Sequence, residues 1–238
     1  MKVYDSGCFI CGKPLNYHSD EKRLHCEICG AEAVTAVSCE GGHFICDKCH
    51  AQDAYGLITS FCLKSGDCSP VSIASELMKH GAIKMHGPEH HYLVAAALIT
   101  AYKNAGGEIA LKDCLNKALQ RAANVPGGIC GMWGACGAGI GAGIFASIVQ
   151  GATPLSTDEW HYANLLTSEV LREIAKHGGP RCCKRNTYIA LIVAIDFVAT
   201  HFNIRLMPPK QEELFCRHFS KNNQCRKRDC LFYPSQKR

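Results

Sequence analysis

Apolar positions in the middle of the chain recur at helical spacing, and glycine and proline separate them. Ser69-Pro70 predicts a helix opened by a capping serine with proline at its first position, and Gly81 closes it. Pro88 opens a second helix, which carries Leu93, Ala96, Ala97, Leu98 and Ala101 as far as Gly106-Gly107. A third is expected from Ile109 to Ala123, with Leu111, Leu115, Ala118 and Leu119 on one face. A Gly/Ala-rich segment then follows Pro126-Gly127-Gly128 and ends near Gly151. Ser156-Thr157-Asp158-Glu159 reads as a capping box for a helix bearing Leu165, Leu166, Val170 and Leu171, which stops at Gly178-Gly179. Pro180 starts the last helix, through Ile189, Leu191, Ile192, Ile195 and Val198. Nothing in this stretch alternates with the period of a strand, so the expected core is an all-α helical bundle. The richest apolar run, Tyr188 to Ala199, is too short to span a bilayer and carries Asp196.

Composition adds chemistry to this fold. Apolar residues make up 47% of the chain and charged ones 20%, which excludes wholesale disorder. Seventeen cysteines and twelve histidines are the anomaly, and an odd number of cysteines cannot pair completely. A chain that can build a core does not need a disulfide framework. Met1-Lys2-Val3-Tyr4-Asp5 shows no apolar signal segment, so a reducing, cytoplasmic setting and metal binding are expected. Charge is uneven: residues 1–62 hold five Lys/Arg against eight Asp/Glu, and residues 203–238 hold nine against three. The division expected is a zinc-bound head (1–62), a helical core (63–210) and a basic, metal-stapled tail (211–238).

The head presents four ligand pairs: Cys8 with Cys11, Cys26 with Cys29, Cys39 with His43, and Cys46 with Cys49. Two-residue gaps let two thiolates from one tight turn reach one tetrahedral ion, so eight ligands imply two closed zinc sites. Pairing is either sequential or interleaved, with sequential the favoured expectation. Cys46-Asp47-Lys48-Cys49-His50 also fits a c-type haem attachment, but that chemistry needs export and both cysteines have a zinc role.

Three polar constellations stand at helix starts in the core. His86-Gly87-Pro88-Glu89-His90-His91 contains H-x-x-E-H, the order in which inverted zinc peptidases place two ligands and a water-activating glutamate. Pro88 as first helical residue would take His86 out of register with His90. Cys130 to Gly143, with Cys136, Gly137, Gly139 and Gly141, is too rich in glycine for a helix without a reason. Either a cofactor or another helix must approach its backbone closely. Arg181-Cys182-Cys183-Lys184-Arg185 puts two thiols in a first helical turn beside cations, which favours thiolate. Adjacent helical residues diverge by about 100°, so these two thiols suit a metal centre better than a mutual disulfide.

Cys136-Gly137-Ala138-Gly139-Ile140-Gly141, followed by cysteines at a later helix start, resembles the helical C-GCAxxG-C-C family of redox-active proteins over about residues 86–200. That resemblance implies a metal or iron–sulfur centre in an all-helical fold. In this sequence His90 or His91 stands at the early cysteine position, and the late cysteines are adjacent. The chain is also similar to an uncharacterised cysteine-rich family of anaerobic microbes, which implies a setting and no activity.

In the tail, Cys216-x8-Cys225-x4-Cys230 resembles the start of a CCCH zinc finger, with Pro234 where the histidine would stand. His218 or a core cysteine would complete the set. A structural metal staple ranks first, a three-thiolate iron–sulfur cluster second and RNA binding third. The expected function is a metal-binding redox, sulfur-transfer or cofactor protein of anaerobic metabolism. Its working site would use Cys136, Cys182, Cys183, His86, His90 and His91, with Arg181 and Arg185 on an anionic ligand and glycines 137, 139 and 141 admitting a cofactor. The rivals are a zinc hydrolase with Glu89 as base, and a binding module for protein or RNA. Partners expected are a small-molecule or cofactor ligand in the core and a protein, with nucleic acid ranked behind and no membrane.

Overall fold

The computed structural model describes residues 7–210 and 214–234. Two antiparallel strands, β1 (Leu15–His25) and β2 (Glu32–Cys39), form a small N-terminal hairpin whose register shifts between Tyr17 and Lys22. Eight helices follow among the described residues: α1 (Asp47–Lys64), α2 (Pro70–Met78), α3 (Glu89–Asn104), α4 (Leu111–Ala122), α5 (Ile129–Met132), α6 (Gly137–Val149), α7 (Asp158–Lys176) and α8 (Cys183–His201). The core is all-α, with a Cys-rich head on one side and a tail containing two short 3-10 turns. No described helix is long and apolar enough to cross a membrane.

Helix α3 is the axis of the bundle. It is buried from Glu89 to Tyr102 and packs against α1, α2, α4, α6 and α8. A helix apolar on every face belongs inside, and Ala95, Ala96 and Ala97 let its neighbours come close. α4 and α7 are outer helices, each burying one stripe: Cys114, Leu115, Ala118 and Ala122 on α4, Leu166 and Val170 on α7. Helix α1 begins in the head and ends in the core, where Ala54, Ile58 and Cys62 join the main cluster. The boundary expected at residue 62 therefore falls inside one continuous helix.

Local signals set most helix ends. Ser69 caps α2, its side chain accepting from the Ser72 amide, with Pro70 as the first helical residue. The capping box at residues 156–159 does not form. Thr157 is the N-cap without a side-chain bond, and the Ser156 hydroxyl instead accepts from the Thr153 amide at 3.0 Å, closing the turn before the helix. Helix α8 starts at Cys183, not Pro180, because residues 178–180 form a turn that Arg185 grips by two carbonyls.

The glycines of α6 serve packing. A Cβ at Gly141 would overlap the His91 carbonyl oxygen, and one at Gly143 the Thr167 hydroxyl. At Gly139 it would stand 2.8 Å from Leu171 on α7. α6 therefore lies flush between α3 and α7, and the expectation that Gly139 and Gly141 admit a cofactor is corrected: they admit helices. Gly141→Ala should cost about 1–3 kcal/mol by overpacking, although alanine is the better helix former. At the exposed Gly56 of α1 nothing lies within 4 Å of the new methyl, so Gly56→Ala should stabilise by about 0.5–1 kcal/mol. Thermal melts of the two variants should move in opposite directions.

Candidate metal centres

The head holds two ligand clusters, Cys8/Cys11/Cys39/His43 and Cys26/Cys29/Cys46/Cys49, in each of which all four donor atoms lie within 4.8 Å of one another. Either could hold a metal ion such as zinc. The pairing is interleaved, which corrects the sequential expectation. Strand pairing is the reason: Leu15 sits opposite Cys39, so β2 returns to the knuckle from which β1 left. The Glu27 amide donates to the Phe44 carbonyl at 2.9 Å, and this draws the Cys26–Cys29 knuckle against the segment leading to Cys46.

Backbone amides point at the sulfurs, as a thiolate requires. The amides of Gly41 and His43 donate to Cys39 Sγ at 3.2 and 3.3 Å, and the Cys46 amide donates to Cys26 Sγ at 3.4 Å. Burial opposes ionisation at both sulfurs, but the amides prevail and lower Cys39 to about 7 and Cys26 to about 6. Cys49 is pushed up to about 12 by burial and by sharing protons with its neighbouring thiols. A cation removes that conflict. Cys46 is also the N-cap of α1, so the second cluster is joined directly to the bundle.

Three helix starts meet over a cavity lined by His90, His91, Cys130, Cys136, Cys182, Cys183 and Arg181 among others. The histidines come from the first turn of α3, Cys136 is the N-cap of α6, and Cys183 opens α8. His91 Nδ1 lies 3.1 Å from the Val125 carbonyl, and His90 Nδ1 lies 3.3 Å from the Gly87 carbonyl. A carbonyl only accepts, so both rings carry the proton on Nδ1 and a lone pair on Nε2. Backbone-held Nδ1–H is the arrangement that orients a ligating histidine. His90 Nε2 is buried without a partner. Burial lowers the pKa of both rings, His91 to about 4, so both are neutral at pH 7. Asn186 Nδ2 donates to Cys136 Sγ at 3.3 Å. Burial raises Cys136 and takes Cys183 up to about 12. Arg181 stands at the rim with its guanidinium 5.3 Å from the Tyr17 ring centroid.

Several expected site residues have other work. Glu89 is fully buried; it accepts from the Lys84 amide at 3.0 Å and pairs with His50 at 3.6 Å and His90 at 3.5 Å. Burial would raise its carboxyl, but the two histidines beside it hold it well below the ordinary range. It positions His90 and does not line the cavity. His86 precedes α3 and points to the tail, with Nε2 3.4 Å from Asn222 Oδ1. The H-x-x-E-H geometry is therefore absent, because Pro88 is the N-cap of α3 and His86 lies outside the helix. Arg185 is buried and donates to the Gly178 and Pro180 carbonyls at 2.8 and 3.2 Å, so it braces a turn and is not open to an anion. Gly137 does line the cavity, where a Cβ would overlap the His91 ring. Cys130, Asn186 and His50 were not singled out as site residues. Cys130 was legible as a thiol six positions before Cys136, but the other two are identified only by their partners.

Cys182 differs from its neighbour. It borders the core cavity and also a second one, which Cys216, Cys225, Cys230 and His218 line.

Interleaving makes the head sites interdependent, since the loop closed by Cys26 and Cys49 contains Cys39 and His43. Cys26→Ser should lower the bound metal by more than one equivalent per chain and expose residues 7–46 to protease. Loss of a single equivalent, with the first cluster still protected, would contradict this, and metal analysis with limited proteolysis reads both.

No curated protein and no solved structure matches the chain. A family match covers residues 58–233, which takes in the core cavity and the tail cysteines and leaves the head clusters outside it. The chain belongs to the family of unknown function DUF5714.

Proposed function

We propose that this protein is a metal-dependent redox protein of anaerobic metabolism, with its working centre in the core cavity and structural zinc in the head. One observation carries the reading: two neutral imidazoles, each with its Nδ1–H held by a backbone carbonyl, share a cavity with four thiols, of Cys130, Cys136, Cys182 and Cys183. Soft thiolates and imidazoles are the donor set of iron–sulfur and transition-metal centres. Such a centre, when bound, supplies one-electron transfer. The likeness to the C-GCAxxG-C-C family supports the redox assignment and the cysteine-rich likeness supports the anaerobic setting.

The residues of this chain prepare that cavity. The starts of α3, α6 and α8 bring partial positive charge, which favours thiolate by about 0.3–1 kcal/mol each. Burial outweighs it at Cys136, Cys182 and Cys183, so these thiols lose their protons only to a bound metal and not, as the sequence suggests, by themselves. Glu89 and the Val125 carbonyl orient the imidazoles, and Asn186 donates to Cys136. Arg181 offers a cation at the rim for an anionic ligand. The head has closed four-ligand sites, a geometry that leaves no coordination position for chemistry and supplies folding energy instead.

Anaerobic purification with zinc, iron and acid-labile sulfide counts tests the reading. Two zinc ions from the head clusters and additional iron with visible absorbance are expected. Cys136→Ser and Cys183→Ser should each reduce that absorbance and leave the two zinc ions in place. A colourless, zinc-only protein would overturn the proposal, and transferable sulfide without a reversible spectral change would replace redox with sulfur transfer.

A further inference from the structure

The cavity between the bundle and the tail meets the core cavity at one residue, Cys182, which borders both. We propose that Cys182, Cys216, Cys225 and Cys230 form a four-thiolate site for an iron–sulfur cluster at this seam. All four line one cavity, together with His218 and Asn222. In the head, four donors crowd within 4.8 Å of one another, whereas no three of these four sulfurs do so. A single zinc ion needs the tight arrangement. A cluster interposes its own iron and sulfide between the protein sulfurs, so its ligands stand further apart.

The sulfurs carry the same amide bonding as the head ligands. Cys216 Sγ accepts from the His218 amide at 3.4 Å, and Cys225 Sγ accepts from the Lys227 amide at 3.3 Å, each two residues on. This repeats the bond from the Gly41 amide to Cys39. Cys182 Sγ accepts from Asn222 Nδ2 at 3.7 Å, and Asn222 is itself buried. Cys182 reaches the tail because it is the extended N-cap of α8, with φ −147° and ψ 103°, while Cys183 is the first helical residue and turns into the core cavity.

Charge and packing agree. Lys184 is 1% exposed, and its ammonium donates to the Ile83 carbonyl at 3.0 Å. Its first charge partner is Glu89, and it lies within electrostatic reach of Cys183, Cys182 and Cys216 as well, so it adds positive charge beside these sulfurs. Among described tail residues only Phe232 buries a large apolar side chain, its ring tilted against Tyr188 with centroids 5.1 Å apart, while Leu231 remains 50% exposed and Phe215 40%. So little packing leaves the tail in need of a cross-link to the core.

The test uses the full chain, purified anaerobically and also reconstituted with iron and sulfide. Cys182→Ser, Cys216→Ser, Cys225→Ser and Cys230→Ser should each lower iron and acid-labile sulfide by up to about four per chain, with loss or change of the reduced-state paramagnetic signal. Cys136→Ser and Cys183→Ser should leave that part intact, which separates this site from the core cavity. Circular dichroism melts confirm that the tail variants keep the bundle, and Cys225→Ser, furthest from its helices in the chain, is the decisive one. Loss of one zinc and no iron in the tail variants would overturn the proposal. Loss of the cluster in His218→Ala but not in Cys182→Ser would overturn the assignment of Cys182.

Discussion

At Gly141, helix α6 meets α3 with no side chain between the two backbones, and the core cavity depends on that contact. The missing Cβ lets α6 lie against the His91 carbonyl, which brings Cys136 at the N-cap of α6 beside the two histidines. Gly139 and Gly143 repeat the device toward α7, so the helix is fixed on both sides. Interiors packed at this density do not deform gradually. The approach of these helices therefore sets the position of every donor in the cavity, and a methyl group on α6 would be felt at the histidines.

Burying several helix starts together creates an electrostatic problem that the fold answers with specific partners. Glu89 has no exposure and would be costly without its contacts to His50, His90 and the Lys84 amide. His50 belongs to α1, directly after the second head cluster, and stacks 4.3 Å from Phe9 of the head. Asp47, at the start of the same helix, accepts from the Gly127 amide at 2.7 Å beside the cavity. Tyr17 of β1 lies against Arg181. The head thus reaches the cavity through three separate contacts. The ligand clusters of the head lie on the elements that carry His50, Asp47 and Tyr17, so the head bears on Glu89 and Arg181.

The start of α8 divides the two cysteine-lined cavities. Cys182 and Cys183 are adjacent and both border the core cavity, but only Cys182, on extended backbone before the helix, also borders the tail cavity. Asn186, one turn further, donates to Cys136 on the core side, while Arg185 next to it braces the turn at residues 178–180. Arg226 of the tail donates to the His177 carbonyl at the other end of that turn. Core cavity, tail cavity and turn therefore share one short run of sequence.

The sequence alone determined what is local. A Cys-x2-Cys gap, a serine before proline and a 3.6-residue apolar period each act within a few residues, so the ligand pairs, the α2 cap and the helical core were all legible. Glycine and proline beside Cys136, Cys183, His90 and His91 marked each as standing near a helix start, but that these starts meet over one cavity is a tertiary result. Tertiary structure decided what depends on distant partners. Interleaved rather than sequential ligand sets required the β1–β2 register and the Glu27–Phe44 bond, and a strand as polar as β1 gives no periodic signal of its own. Glu89 looked like a base until His50, far away in sequence, was found against it. Gly139 and Gly141 looked equally suited to a cofactor or a helix, and only the presence of α7 and α3 against them settled which. A residue's neighbours across the chain fix its charge, its accessibility and its role, and no local pattern encodes them.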